Sequence, residues 1–332
     1  MAALIGTFLL LAAVIVVAGL FLAKCADSIA SLTGIGRTLA GLILLAAATS
    51  LPELAVDCKA VLMTPPAPNL AVGALVGSSL FNLLILGLLD LLNRRSTKMI
   101  SPAAEEHILS AITSIMLTAL VGGFIMLQNP ALNIVQVGFG STIVFVVYVL
   151  SLRMVYLDQR HRGATDEEEE AEMKLRAAVL GYLAATAAIF VAANFLAPTA
   201  TQIAEKTGLG NSFVGSTFVA LTTSLPEFVT TLAALRMGAL NMAVGNIVGS
   251  NNFNMAILFP VDIVYRKSPL LQVASQTHVF TALVVIAVSS VLVMAMVYRP
   301  KRKYLFIEPD ATAVVILSFS AIVVLYFLSK IA

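Results

Sequence analysis

The chain has 332 residues, of which 59% are hydrophobic and 11% charged, with a formal net charge of +2. A soluble domain carries about 25% charged residues, so the composition reads as an integral membrane protein and offers no basic footprint for nucleic acid. Two cysteines, Cys25 and Cys58, supply neither a disulfide framework nor a metal cluster.

A membrane span needs about 20 mostly apolar residues. Breaks at charges and at Gly/Pro clusters give ten, at about 3–23, 38–63, 68–92, 104–127, 132–155, 175–197, 211–236, 239–263, 277–298 and 310–330. The first reads as a transmembrane helix and not a leader, since no positive segment precedes it and no clear small-residue cleavage site follows. The second and seventh are long, and each is interrupted by Ser-Leu-Pro-Glu. Between the fifth and sixth lies the polar segment "DQRHRGATDEEEEAEMK", 158–174, a solvated linker. It divides the chain into blocks 1–157 and 175–332, each with five spans.

Lys and Arg favour the cytoplasmic side of short loops. Ten spans place fifteen of these residues on the linker side and four on the side of the termini. The linker is therefore expected in the cytoplasm, with both termini outside.

The two blocks repeat one another. "TSLPE" at 49–53 returns at 223–227, an offset of 174, and "VGSSLFN" at 76–82 returns as "VGSNNFN" at 248–254, an offset of 172. Asp90 and Asp262 match at the same offset of 172. Five spans per block is an odd number, so the second copy enters the bilayer from the opposite face. That is the inverted-repeat plan of secondary transporters, with a site near the midplane. A channel could share the symmetry.

Pro52 and Pro226 lack a backbone N–H, and each is expected to break its helix. Breaks of that kind leave carbonyls open around Ala46–Ala48 and Ala220–Thr222, tolerable in hydrocarbon only where they line a cavity or meet an ion. Beside the breaks stand Thr49, Ser50 and Glu53 in one half, and Thr223, Ser224 and Glu227 in the other. The partner spans add Ser78 with Asn82 and Ser250 with Asn254, each pair at i, i+4 on one helix face. These are all oxygen donors, the set that suits a hard cation such as Ca²⁺. Intramembrane carboxylates point to function by default; for the serines and asparagines, helix–helix hydrogen bonding is the plainer alternative.

The paired "TSLPE" and "GSxxFN" motifs, in two five-span halves, resemble the Ca²⁺/cation antiporters and in particular the sodium/calcium exchangers. The resemblance covers essentially the whole chain, with an alpha-1 repeat at about 37–93 and an alpha-2 repeat at about 211–263. It implies an all-α fold of ten transmembrane helices in two inverted five-helix repeats, with discontinuous helices 2 and 7. It implies that Glu53 and Glu227 are the central Ca²⁺ carboxylates, with the carbonyls of Thr49 and Thr223 beside them. Ser50, Ser78, Ser224 and Ser250, with the carbonyls of Ala46 and Ala220, correspond to monovalent-cation ligands, and Asn82 and Asn254 to the central position on the partner helices. Spans 1 and 6 correspond to the moving pair.

Two departures bear on the ion. Asn254 stands where sodium/calcium exchangers often have Asp, and Ala74 and Ser79 stand opposite Asn246 and Asn251. The core then holds two acids. One Ca²⁺ or two H⁺ neutralise it and three Na⁺ exceed it, so H⁺/Ca²⁺ exchange competes with Na⁺/Ca²⁺ exchange. Proton-coupled relatives typically carry "GNxxEH" where this chain has "TSLPE", which favours Na⁺. No covalent cofactor and no enzymatic activity are expected. Asp90 and Asp262 suggest an aspartyl peptidase, but the antisymmetric repeat sends them toward opposite faces; they read instead as helix-end residues. Asp57 and Lys59 read as an interfacial ion pair, with cation guidance as the alternative. His107 and His278 read as helix-start residues near an interface.

Overall fold

The structure is a computed structural model of the full chain, and it describes residues 1–93, 98–100, 102–127, 138–162, 173–207, 221–298 and 309–331. Every regular element among these is helical. In chain order they are α1 Ala2–Thr33, α2 Gly36–Leu39, a π-helical stretch Ala40–Leu45, α3 Ala46–Leu62, α4 Pro68–Leu92, a 3₁₀ turn Pro102–His107, α5 Ile108–Leu127, α6 Phe139–Arg162 and α7 Leu175–Lys206. Then follow α8 Leu225–Met237, α9 Leu240–Tyr265, the short α10 Leu270–Val273, α11 Thr277–Val297 and α12 Pro309–Ile331.

Eight helical segments among the described residues are long and apolar enough to cross a membrane: Ala2–Thr33, Gly36–Leu62, Pro68–Leu92, Ala104–Leu127, Phe139–His161, Leu175–Lys206, Leu240–Tyr265 and Thr277–Val297. They correspond to eight of the ten expected spans. The seventh expected span begins outside the described residues, which resume at Leu221. The tenth falls on α12, whose described apolar part is the shorter Ala311–Phe327. The linker residues 163–172 also lie outside the described residues.

The helices group into two compact units, and neither unit coincides with one sequence block. One takes Met1–Pro52, Ala164–Ile247 and Tyr326–Ala332; the other takes Glu53–Gly163 and Val248–Leu325.

In the first unit α1 lies along α7 and also touches α8. Ile15 meets Ala192, Ala193 and Leu196 in a fully apolar cluster, with Phe8, Leu11 and Leu225 at its edge. The outward side of α1 presents Leu9, Leu10 and Val17, side chains that a bilayer solvates as readily as a protein core does. The π-helical stretch crosses the start of α9 at two glycines. A Cβ on Gly245 would stand 2.9 Å from Thr38 O and 3.0 Å from Leu42 N, and one on Gly41 would collide with Met242 O. Only hydrogen fits at either position, and the backbones touch there.

In the second unit α11 packs on α5 and α4, and α6 on α5. Phe145 stacks on Phe259 with centroids 4.7 Å apart, and Tyr148 meets Phe253 edge-on at 6.2 Å, joining α6 to the C-terminal part of α9. The Asn252 side chain donates to Ser110 Oγ at 2.9 Å, joining that part of α9 to α5.

Helix 2 departs from expectation. α3 runs without interruption through Pro52, and the irregular backbone is the π-helical stretch upstream of it. Proline deprives Ala48 O of its N–H donor, but one lost bond does not sever a helix whose neighbours hold it on both sides. Leu44 O, within the π stretch, is taken by the Tyr182 hydroxyl at 2.9 Å. The second motif behaves as expected: Ser224 leaves helical geometry (φ −88°, ψ 10°), and α8 begins behind it with Pro226 in its first turn.

Gly245→Ala is expected to destabilise the protein by about 1–3 kcal/mol, the usual cost of forcing a carbon into a packed crossing. Thermal unfolding in detergent measures it, with Gly77→Ala, where a Cβ meets nothing within 4 Å, as the reference substitution.

Candidate functional site

The first unit brings Thr49 and Ser50 of the first TSLPE motif together with Glu227 of the second. The Ser50 hydroxyl, on α3, donates to Glu227 Oε1 on α8 at 3.5 Å, and the Thr49 hydroxyl lies beside the same carboxylate. Thr49 also donates to Leu45 O at 3.0 Å and Ala46 O at 3.3 Å, so the Ala46 carbonyl lies at the motif. Glu227 is 1% exposed. Its Oε2 and the Ser224 hydroxyl have no hydrogen bond among the described residues.

Glu227 is held from behind by an asparagine. Asn246 Nδ2, on α9, donates to Thr230 Oγ1 and Thr231 Oγ1, both at 2.9 Å, and approaches Glu227 O at 3.4 Å. Thr230 in turn donates to Pro226 O at 2.8 Å. This fixes the first turn of α8, from which Glu227 projects. Thr223 is half-buried just ahead of the break, and Ala220 lies outside the described residues.

The second unit brings the two GSxxFN motifs together. Asn82 on α4 donates through Nδ2 to Asn251 Oδ1 on α9 at 3.0 Å. With its nitrogen used between helices, Asn82 keeps Oδ1 as an acceptor without a hydrogen bond among the described residues. Ser78 Oγ and both polar atoms of Asn254 are likewise without hydrogen bonds among the described residues, although all three residues are buried. Ser250 and Glu53 are buried in this unit as well. Helix–helix bonding, the plainer reading of these side chains, thus accounts for the nitrogen of Asn82 and leaves its oxygen and the Asn254 amide unexplained.

Buried oxygens with no donor are costly in an apolar interior. The set is made of carboxylate, hydroxyl and amide oxygens, the chemistry of a hard-cation site. Asn246 and Asn251 are the polar residues whose role the motif alone leaves unassigned; the signal for them is their place beside the second "GSxxFN", where the first copy carries Ala74 and Ser79.

The acidic residues outside the motifs separate into two kinds. Asp262, at the end of α9, accepts from Leu270 N at 2.8 Å, from Gly138 N at 2.9 Å and from the Ser141 hydroxyl. Its repeat counterpart Asp90 accepts from Met99 N, and Lys98 donates to Asp90 O at 3.1 Å and Asn93 O at 2.7 Å. Both carboxylates tie a helix end to the chain eight or nine residues on, the helix-end role expected of them. Asp57 and Lys59 do not form the expected pair: Asp57 is 1% exposed and Lys59 lies exposed, and side chains at i, i+2 leave a helix on different sides. His278 opens α11 as expected and packs against Gly73.

The sequence profile of the family described as "Sodium/calcium exchanger protein" matches residues 3–157 and 177–330. The sodium/calcium exchanger MaX1 of Methanosarcina acetivorans is 27% identical over 311 residues, covering 82% of this chain and 85% of the relative. The inner membrane protein YrbG of Escherichia coli K12 is 29% identical over 237 residues, covering 68% of each. Among solved structures, the sodium-calcium exchanger NCX_Mj soaked with 10 mM Na⁺ and zero Ca²⁺ superposes with a TM-score of 0.71 at 20% identity, covering 97% of this chain and 99% of the other. At that identity the likeness is one of fold.

Asp262→Ala leaves the buried N–H groups of Gly138 and Leu270 without an acceptor. A loss of about 2–6 kcal/mol is expected, from about 1–3 kcal/mol for each orphaned donor. Thermal unfolding measures it, and amide exchange at Leu270 should accelerate before exchange in the α1–α7 pair does.

Proposed function

The chain belongs to the sodium/calcium exchanger family, and we propose that it is a secondary antiporter that exchanges Ca²⁺ for Na⁺ across a membrane by alternating access. Membership of a family of exchangers makes it a transporter and not an enzyme, and its helical spans make it an integral, multi-pass membrane protein. The proposal assigns the ion-binding oxygens to Glu53 and Glu227, the carbonyls of Thr49, Thr223, Ala46 and Ala220, the hydroxyls of Ser50, Ser78, Ser224 and Ser250, and the amides of Asn82 and Asn254. The single observation that carries it is the meeting of like motifs. Within one unit the first TSLPE touches the second through Ser50 and Glu227, and within the other the first GSxxFN touches the second through Asn82 and Asn251.

Ca²⁺ and Na⁺ compete because each requires the same carboxylates. A membrane carboxylate that carries its charge without a cation resists movement through an apolar barrier, so the change of access is cheap only with ions bound. That rule yields exchange and suppresses leak. The moving part in this proposal is the pair α1 and α7, which lie along one another and whose contact is built from small and aliphatic side chains. The ten-helix inverted arrangement, with the acidic linker in the cytoplasm and both termini outside, completes the proposal. It is supported by the odd number of spans per repeat and by the distribution of Lys and Arg.

The test is ⁴⁵Ca uptake into proteoliposomes loaded with Na⁺, with K⁺, or with an outward proton gradient. Na⁺-loaded vesicles are expected to take up Ca²⁺; uptake driven by the proton gradient alone would assign H⁺ as the counter-ion, and uptake with no counter-ion would make the protein a channel. Glu227→Gln keeps the shape of the side chain and removes its charge. It is expected to lower Na⁺-driven uptake by at least about a hundredfold, since removing a charged ligand costs about 3 kcal/mol or more.

A further inference from the structure

The two repeats differ at one place in a way that changes charge. In the second repeat the α8–α9 hairpin, closed by Ala239 N–H on Ala234 O at 2.9 Å, holds the Asn246 amide against three oxygens: Thr230 Oγ1, Thr231 Oγ1 and the backbone carbonyl of Glu227. Its N–H donors satisfy that cluster. In the first repeat the α3–α4 hairpin is closed in the same manner, by Ala67 N–H on Ala60 O at 3.0 Å. The offset of 174 makes Asp57 the counterpart of Thr231, and the offset of 172 makes Ala74 the counterpart of Asn246. The donor has been replaced by a methyl group, and a neutral hydroxyl by a carboxylate.

Asp57 is 1% exposed, and its Oδ2 has no hydrogen bond among the described residues. It stands four residues after Glu53 on α3, on the same helix face. Lys59 is exposed and leaves the helix on another side. A buried carboxylate whose counterpart donor is missing is neutralised by a proton or by a cation drawn from elsewhere.

We propose that Asp57 is a further cation-binding carboxylate of the transporter, taking a monovalent metal cation, Na⁺ or K⁺, where the second repeat holds the Asn246 amide. The inference rests on the proposed exchange and deepens it. With Asp57 the first repeat carries two acids on one face of α3, Glu53 and Asp57, and a monovalent cation beside them offsets one of the two charges.

The experiment is ion binding by the purified full chain, read as thermal stabilisation. NaCl, KCl and CaCl₂ are titrated separately against choline chloride at constant ionic strength. Asp57→Asn, nearly isosteric, is expected to raise the Na⁺ or K⁺ midpoint at least about fivefold more than it raises the Ca²⁺ midpoint, a difference near 1 kcal/mol. The double variant Asp57→Thr/Ala74→Asn installs the hydroxyl–amide pair of the second repeat and guards against a fold defect in the single one; it should display the same selective loss while melting no lower than the wild type. Equal shifts for all three ions, or none, in the better-folded variant would overturn the proposal. So would an effect confined to the pH dependence in choline chloride, which would make Asp57 a proton carrier. Absence of Na⁺-driven ⁴⁵Ca uptake by the wild type would sink the exchange reading by itself, and the NaCl and KCl midpoints would still decide Asp57.

Discussion

Glu227 sits fully buried in a membrane protein, reached by the hydroxyls of Ser50 and Thr49 and by no Lys, Arg or His among the described contacts. Hydroxyls solvate a carboxylate without neutralising it. A charge buried without a partner is costly, and it persists only where a partner offsets that cost. The apparatus around it serves this constraint. Asn246 and Thr230 brace the turn from which it projects, and Gly41 and Gly245 let the π-helical stretch and α9 approach to backbone contact. The break at Ser224 frees backbone groups at the same point.

The motifs are legible in the sequence because their cost is legible there. A glutamate beside a proline within twenty apolar residues has few structural excuses, and its recurrence with the same flanking hydroxyls removes most of them. Burial of Thr49, Ser50, Glu53, Ser78, Asn82, Ser224, Glu227, Ser250 and Asn254 follows that reading. The helix-end role of Asp90 and Asp262 is legible for a related reason: each ends an apolar run and precedes a turn whose N–H groups need acceptors.

What the sequence does not reveal is how a helix absorbs a proline. Pro52 and Pro226 occupy identical five-residue contexts, yet α3 runs through the first, and the chain breaks just before the second. The five residues are the same in both copies, so the difference lies outside the motif. Local propensity cannot register a difference of this kind. Asp57 fails for the same reason. Paired with Lys59 by proximity in sequence, it is separated from it by helical rotation and by burial.

The departures between repeats carry the most information about the ion. Two copies of one segment begin with the same chemistry, so a position where only one copy keeps its polar partner marks a change that the site has accommodated. Asn246 has two hydroxyls to serve and Asn251 receives the amide of Asn82, while their counterparts Ala74 and Ser79 have lost that capacity. Ser79 donates instead to Leu75 O within its own helix, at 3.1 Å. At these positions the second repeat keeps an amide bonded to two hydroxyls, and the first carries the additional acid. In an exchanger whose two ions differ in charge, such an asymmetry is where the number of charges carried per cycle can be set without altering the carboxylates that both ions share.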